Sequence, residues 1–436
     1  MKIMFLHPNM PGQYKHLARI LAEDEKNQVI FLTKPGKKDI KNVTKIEYEL
    51  GRDVGPDVHR YLIGFERGVL LAQEVWRVCK KIKDEGFIPD VICGHFGWGE
   101  GLFIKDIFPD TPVLGFMEFF YSSQNSDVTF MQGTEIPDDD KARIRMKNSL
   151  HFFNLQYFDW LLTPTFYQLH RHPEEYYHKF SILHDGVDTE VAKPKKQNSL
   201  TLPNGVKLKP EDEIITYLSR NLEPYRGFPQ FMKAAEKILK ERPNAHIIVA
   251  GGDEVSYGKQ PDGGKTFRQQ MLEECDLDIN RFHHFGFLPY DDMIKIMQIS
   301  SIHVYLTVPF VLSWSMLEAM SCGCLILGSD TEPVTEVIKD GVNGLLVNFT
   351  SPDKIAARVS EVFEHENRMQ HIRENARQTI LDRYSLDKVI PLHIELIKDV
   401  AKGKFPPKAA GKIAKFNEET SVENWVAKNE KSKKSA

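Results

Sequence analysis

The sequence predicts an α/β chain built as two doubly wound parallel sheets, and three observations carry that reading. Short apolar runs of four to seven residues alternate with segments of helical period along most of the 436 residues. The runs are apolar at successive positions, as strands covered by helices on both faces require. One polar, turn-rich stretch, Lys193 to Glu213, separates two series of such units.

Taken in order, residues 2–6 (KIMFL) read as the first strand, followed by the loop HPNMPG and a helix marked by Tyr14, Leu17, Ala18 and Leu21. Residues 28–32 (QVIFL) form the second strand, which completes the opening of a β-α-β unit. Leu71, Val75, Val78 and Ile82 mark a helix, and residues 90–94, 112–116 and 160–163 read as further strands. The second series runs through strands at 214–218, 246–252, 283–288, 302–306, 324–328 and 344–347, with Phe231, Ala234 and Ile238 marking its first helix. The expected domains are therefore 1–190 and 191–385, then a helix at 386–402 that crosses back to the first domain, and a Lys-rich, mobile tail at 403–436.

Composition narrows the function. The 57 basic and 61 acidic residues give a net charge of −4, so no chain-wide basic field points to nucleic acid, and an anionic ligand must be held locally. Five cysteines match neither a disulfide framework nor a zinc spacing, which suits a reducing compartment. The N-terminus has no signal-peptide pattern, and no apolar run approaches the roughly 18 residues of a membrane span. A cytoplasmic location is expected, with peripheral contact at the inner membrane face through the Lys-rich tail as one option and a solubilising tail as the other. Oligomeric state is left open.

In doubly wound sheets ligands bind beyond the carboxyl ends of the strands, so candidates are sought there. Gly12 lies in the loop after the first strand, where a helix N-terminus favours an anion. Arg220 follows a strand and Arg226 lies six residues on, two guanidiniums suited to a diphosphate or, alternatively, to a solvated surface. Ser313, Trp314 and Ser315 open a helix that carries Glu318, which reads either as a ribose-binding carboxylate or as a first-turn partner of the helix dipole. His95, Trp98 and Glu118 follow strands of the first series; each suits a sugar or an acceptor hydroxyl, and each also has a packing or ion-pair reading. The acidic run PDDDK (137–141) reads as a solvated turn and HRHPEEYYHKF (170–180) as a polar helix face, so no metal site is expected.

Several of these segments together resemble family 4 glycosyltransferases of the GT-B fold: LEAMSCGCLILGSDTEPVTEVIKDGVNGLLV, SRNLEPYRG, AGGDE, HHFGFLPY and LHDGVDTEV. FLHPNMPGQYKHLA and PFVLSWSMLEAMSCG are similar to a bacterial subgroup whose acceptors are largely unassigned. The resemblance implies two Rossmann-like domains facing across a cleft and a retaining, metal-independent transferase without a cofactor. Its co-substrate would be a UDP- or GDP-linked sugar. The acceptor is a saccharide, lipid-linked glycan, protein or small molecule. Arg220 and Arg226 would grip the diphosphate, with Gly12 and Gly252 close to the donor; Glu318 would hold the ribose, and Phe287 and Leu288 would line the base pocket. The resemblance also shows departures: Phe310 stands where the family has a glutamate eight residues before Glu318, and Glu118 where many members have histidine. Arg220, Arg226 and Glu118 are thus the expected catalytic groups. The competing functions are an inactive nucleotide-sugar-binding protein and a GT-B-like nucleotide-sugar epimerase.

Overall fold

The computed structural model describes residues 1–131, 136–195, 199–202 and 205–434. The chain divides into two compact units, one of residues 1–185 with 387–419 and one of 186–386 with 420–436. The boundary thus falls five residues before the expected one, and the helix Leu386–Val400 counts almost wholly with the N-terminal unit. Residues 196–198 and 203–204 of the expected connection, and 435–436 of the tail, lie outside the described residues.

The N-terminal unit holds a seven-stranded parallel sheet: β1 (Lys2–Leu6), β2 (Gln28–Thr33), β3 (Val43–Glu47), β4 (Val91–His95), β5 (Val113–Phe116), β6 (Trp160–Thr163) and β7 (Phe180–Ile182). Their order is β3-β2-β1-β4-β5-β6-β7. The expected strands are all central. The two that pattern reading missed, β3 and β7, are the edges, where one side lacks a neighbour and an apolar run is not required. Residues 4, 6, 30, 32, 92 and 113 join helix residues Leu71, Val75, Cys79 and Ile82 in one core.

In the C-terminal unit a short hairpin, β8 (Leu200–Thr201) with β9 (Lys207–Leu208), precedes a six-stranded parallel sheet. Its strands are β10 (Ile214–Asn221), β11 (His246–Gly252), β12 (Phe282–His284), β13 (Ile302–Tyr305), β14 (Leu325–Ser329) and β15 (Leu345–Val347), in the order β12-β11-β10-β13-β14-β15. β10 runs three residues further than expected because its pairing with β11 shifts register between Leu218 and Asn221. A bulge of this kind re-aims side chains at a strand end, and Arg220 is in it. The helix Phe228–Glu241 buries Phe228, Phe231, Ala234, Ala235 and Ile238, with Phe231 stacked on Tyr217 at 4.6 Å. Each of the Phe and Ile side chains contributes about 1.5–3 kcal/mol by leaving water.

The C-terminal segment corrects the expectation of a mobile tail. Lys408–Thr420 and Val422–Lys434 are helices, and Ala409, Ile413, Val422, Trp425 and Val426 are buried. Few apolar residues suffice because they fall three and four apart and share one helix face. The Trp425 indole also donates to Asp382 Oδ2 at 3.0 Å. Among the described residues no helix is long and apolar enough to cross a membrane.

Candidate functional site

Both sheets reverse strand order beside their first long strand, at β1/β4 and at β10/β13, and the chemistry-bearing side chains gather at the carboxyl ends of those strands.

At the C-terminal switch point Gly227 sets the geometry. Its φ is +66°, and a Cβ there would meet Leu306 Cβ at 2.6 Å, so only glycine lets the loop after β10 lie against the end of β13. Val308 N then donates to Tyr225 O at 3.0 Å, and Tyr217 Oη donates to Arg226 O at 2.6 Å. The Arg226 guanidinium donates to Thr307 Oγ1 (2.8 Å) and Val311 O (3.3 Å) and lies 5.7 Å from the Tyr257 ring centre. It is held from three sides before any ligand arrives. Arg220, by contrast, is exposed. The two arginines share a neighbour, Glu223, which is 1 % exposed and accepts from Ser256 N (2.9 Å) and Tyr257 N (2.8 Å). Burial pushes that carboxyl up, opposed by the two backbone N–H groups, Arg226 and Arg220.

Gly252 ends β11 with the Phe287 ring against it: a Cβ would come within 2.3 Å of that ring and 2.6 Å of Asn221 Oδ1. Phe287 is 67 % exposed, whereas Leu288 is partly buried and packs on the hydrophobic core.

The helix Trp314–Ser321 opens on Ser313, whose hydroxyl accepts weakly from Ser315 N at 3.4 Å and lies 3.0 Å from Ser315 Oγ. Ser313 N donates to Tyr305 Oη at 2.8 Å, and Trp314 is 45 % exposed. Glu318 is the fifth residue of this helix, beyond its first turn, which disfavours the dipole-partner reading. Tyr290 Oη donates to Glu318 Oε1 at 2.7 Å. Phe310 is buried among aromatics, 4.8 Å from Tyr257 and 6.1 Å from Tyr225 between ring centres.

At the N-terminal switch point the groups are imidazoles and one carboxylate. His7 follows β1, His95 ends β4, and Glu118 lies two residues past β5. Their rings and chains meet: His7 and His95 are 5.2 Å apart between centres, His95 stacks on Trp98 at 4.6 Å, and His95 Nε2 lies 3.5 Å from Glu118 Oε2. Burial raises the Glu118 carboxyl, but the adjacent His95 ring and the neighbouring His7 and His151 imidazoles outweigh it, and the net direction is down. The carboxylate is thus held ionised, with its side chain one-third exposed. Gly12 has a structural reason independent of any donor. A Cβ there would lie 2.4 Å from His7 Nε2, and its φ is +50°.

Sequence reasoning missed His7, Gln13, Glu100, Glu223, Tyr290 and Thr307. His7 and Thr307 directly follow expected strands, which was an available signal; Glu100 and Glu223 are buried carboxyls whose partners come from distant segments. Glu100 accepts from Tyr48 Oη at 3.3 Å, and burial pushes it up to about 7. The run 137–141 also differs from expectation. Asp138–Asp140 form the first turn of the helix Asp138–Lys147, and Asp139 and Asp140 pair with Arg60 and Arg143. Among the described residues no group of three or more His, Cys, Asp and Glu is placed to hold a metal ion.

The chain is similar in sequence and fold to glycosyltransferases. Residues 25–192 match the model described as Glycosyl transferase family 4 group, and residues 204–379 the model described as Glycosyl transferases group 1. An uncharacterized glycosyltransferase of Methanocaldococcus jannaschii is 25 % identical over 48 % of this chain and 50 % of its own length. Alpha-maltose-1-phosphate synthase of Mycolicibacterium smegmatis is 22 % identical over 50 % of this chain and 57 % of its own. The chain thus spans about half the length of the curated relatives it matches. Among solved structures, sucrose-phosphate synthase from Thermosynechococcus elongatus aligns with a TM-score of 0.70 at 14 % identity, covering 93 % of this chain and 100 % of that one. HepE from Anabaena in complex with UDP and glucose aligns with a TM-score of 0.63 at 14 % identity, covering 91 % and 99 %. The fold is GT-B.

Proposed function

We propose, for a chain that belongs to the glycosyltransferases, that it moves a hexose-type sugar from a nucleoside-diphosphate donor to an acceptor hydroxyl, with retention and without a metal. The observation that carries this reading is Arg226, a guanidinium fixed at the β10/β13 switch point by Thr307 and Val311. A fixed cation at that place meets the charge that grows on a leaving diphosphate, and it needs no reorganisation when the charge arrives. Arg220 adds a second cation to the same loop. Glu318, with one oxygen engaged by Tyr290, accepts from ribose hydroxyls, and Phe287 stacks on the base.

In the N-terminal unit the ionised Glu118 accepts a hydrogen bond from the acceptor hydroxyl, and Trp98 offers its exposed indole to an apolar sugar face. The ligands of the HepE structures, UDP with glucose in one and UDP-glucose in another, make a UDP-linked donor the first to try.

The buried Phe310 favours one rival, a protein that binds nucleotide sugars without transferring them, because no carboxylate stands there to meet the donor sugar. A panel of UDP- and GDP-sugars separates the two, with thermal shift reading binding and nucleotide release reading turnover. Release that rises with an acceptor pool and persists in chelator is the expected result. Binding without release under every donor and acceptor condition would sink the transferase reading.

A further inference from the structure

We propose that His7 and Gln13 are positioning residues for Glu118, forming a one-way hydrogen-bond chain that presents one amide donor to its carboxylate, opposite the His95 ring. The proposal rests on the reading that Glu118 handles the acceptor.

The direction follows from groups that can only donate. Asn9 N donates to His7 Nδ1 at 2.8 Å, so that nitrogen carries the lone pair and the proton is on Nε2. His7 Nε2 lies 2.9 Å from Gln13 Oε1 and donates to it. With its oxygen so engaged, the Gln13 amide turns its NH2 to Glu118 Oε1, 3.3 Å away. On the other side Gly97 N approaches His95 Nδ1 at 3.4 Å, which leaves the proton on Nε2, facing Glu118 Oε2 at 3.5 Å. Each carboxylate oxygen thus faces one donor from a tautomer-fixed imidazole, directly or through an amide, and keeps a further lone pair for a substrate hydroxyl.

Two features keep the chain one-way. Burial, with His95 beside it and Gln13 opposing, pushes His7 down to about 3, so the imidazole stays neutral and retains its acceptor nitrogen at ordinary pH. Gly12 leaves the space that the His7 ring fills. The Glu118 main chain is also fixed, since Gln168 Nε2 donates to its backbone carbonyl at 2.6 Å. Besides His7 and Gln13, the groups that face Glu118 are His95 and His151.

Nitrogen NMR of the 15N-histidine-labelled full chain reads the tautomer, with His7 assigned from its loss in His7→Phe. Carbon NMR of 13C-carboxyl glutamate reads the Glu118 titration. We expect His7 neutral and protonated on Nε2 from pH 5 to 8. Gln13→Met should raise the Glu118 titration point, and Gln13→Glu should raise it further, by a unit or more. Nucleotide release from UDP-glucose should fall tenfold or more in His7→Phe with KM unchanged, and His7→Gln should restore much of it by supplying an amide N–H. A His7 protonated on Nδ1, or a Glu118 titration indifferent to both Gln13 variants, overturns the proposal. Should the wild type release no nucleotide from any donor, the transferase reading fails, and the two NMR results still decide the chain on their own.

Discussion

The two switch points share a topology and differ in charge. In the C-terminal unit the end of the central strand leads to Arg226, a permanent cation anchored by neutral oxygens of the 307–311 segment. In the N-terminal unit the corresponding place holds His7 and His95, neutral or hydrogen-bonded imidazoles arranged around the anionic Glu118. A guanidinium cannot give up its proton at any relevant pH, so it suits stationary charge stabilisation. Imidazole and carboxylate can accept and orient protons, so they suit a hydroxyl nucleophile. One sheet design therefore supports two kinds of chemistry, depending on which residues end its strands.

That contrast breaks most sharply under paired substitution. Glu118→Gln should lower turnover by about 10²-fold or more, the usual worth of a positioned general base, while leaving nucleotide affinity within about twofold of wild type. Arg226→Ala should do the reverse to binding: loss of one charge-assisted hydrogen bond, about 1.5–3 kcal/mol, weakens nucleotide affinity roughly 10- to 100-fold by calorimetry. If both substitutions affect affinity alike, the division of labour is wrong.

Acid should separate the units next. Burial holds His7 and His151 down to about 3 and His172 and His393 to about 4, all in the N-terminal unit. In the C-terminal unit only His283 and His303, among the described residues, are pushed down as far, to about 4. A histidine lowered on folding contributes stability that is complete above its ordinary value of about 6.5 and is lost as pH falls toward the folded value. Each contributes up to about 1.4 kcal/mol per pH unit in that window. Glu100 works against this in the N-terminal unit, since a raised carboxyl gains stability as pH falls, and Glu223 does so in the other. Hydrogen exchange from pH 7 to 5 should show the larger loss of protection in the N-terminal unit; equal losses would contradict the assignment.

The smallest effect sharpens the donor side. Tyr290→Phe removes one hydrogen bond to Glu318, about 1 kcal/mol, and should weaken nucleotide binding severalfold. Glu318→Ala should cost more, because it removes the acceptor itself. An unchanged affinity in Tyr290→Phe would mean that Glu318 needs no fixing.

Strands β1, β2, β4, β10, β11 and β13 were legible because a covered parallel strand must be apolar at successive positions. The edge strands β3 and β7 of the first sheet were not, and neither was the bulge at Ser219–Arg220, which is a property of the pairing with β11. Of the candidate residues, Arg226, Glu318, His95 and Glu118 were legible from their places after strands and on the helix that follows β13. Tyr290, Glu223 and Gln13 were hidden, since each acts on a partner 28 or more residues away in sequence.

The sequence by itself determined the two doubly wound sheets, the near-neutral charge that leaves anion binding to local groups, and the residue types at the strand ends. It could do so because helical period, apolar runs and glycine positions are local properties of the chain. Tertiary structure alone decided which arginine is anchored, which imidazole nitrogen carries the proton, and whether residues 408–426 pack. Those depend on hydrogen-bond partners and burial that segments far apart in sequence supply only once they meet.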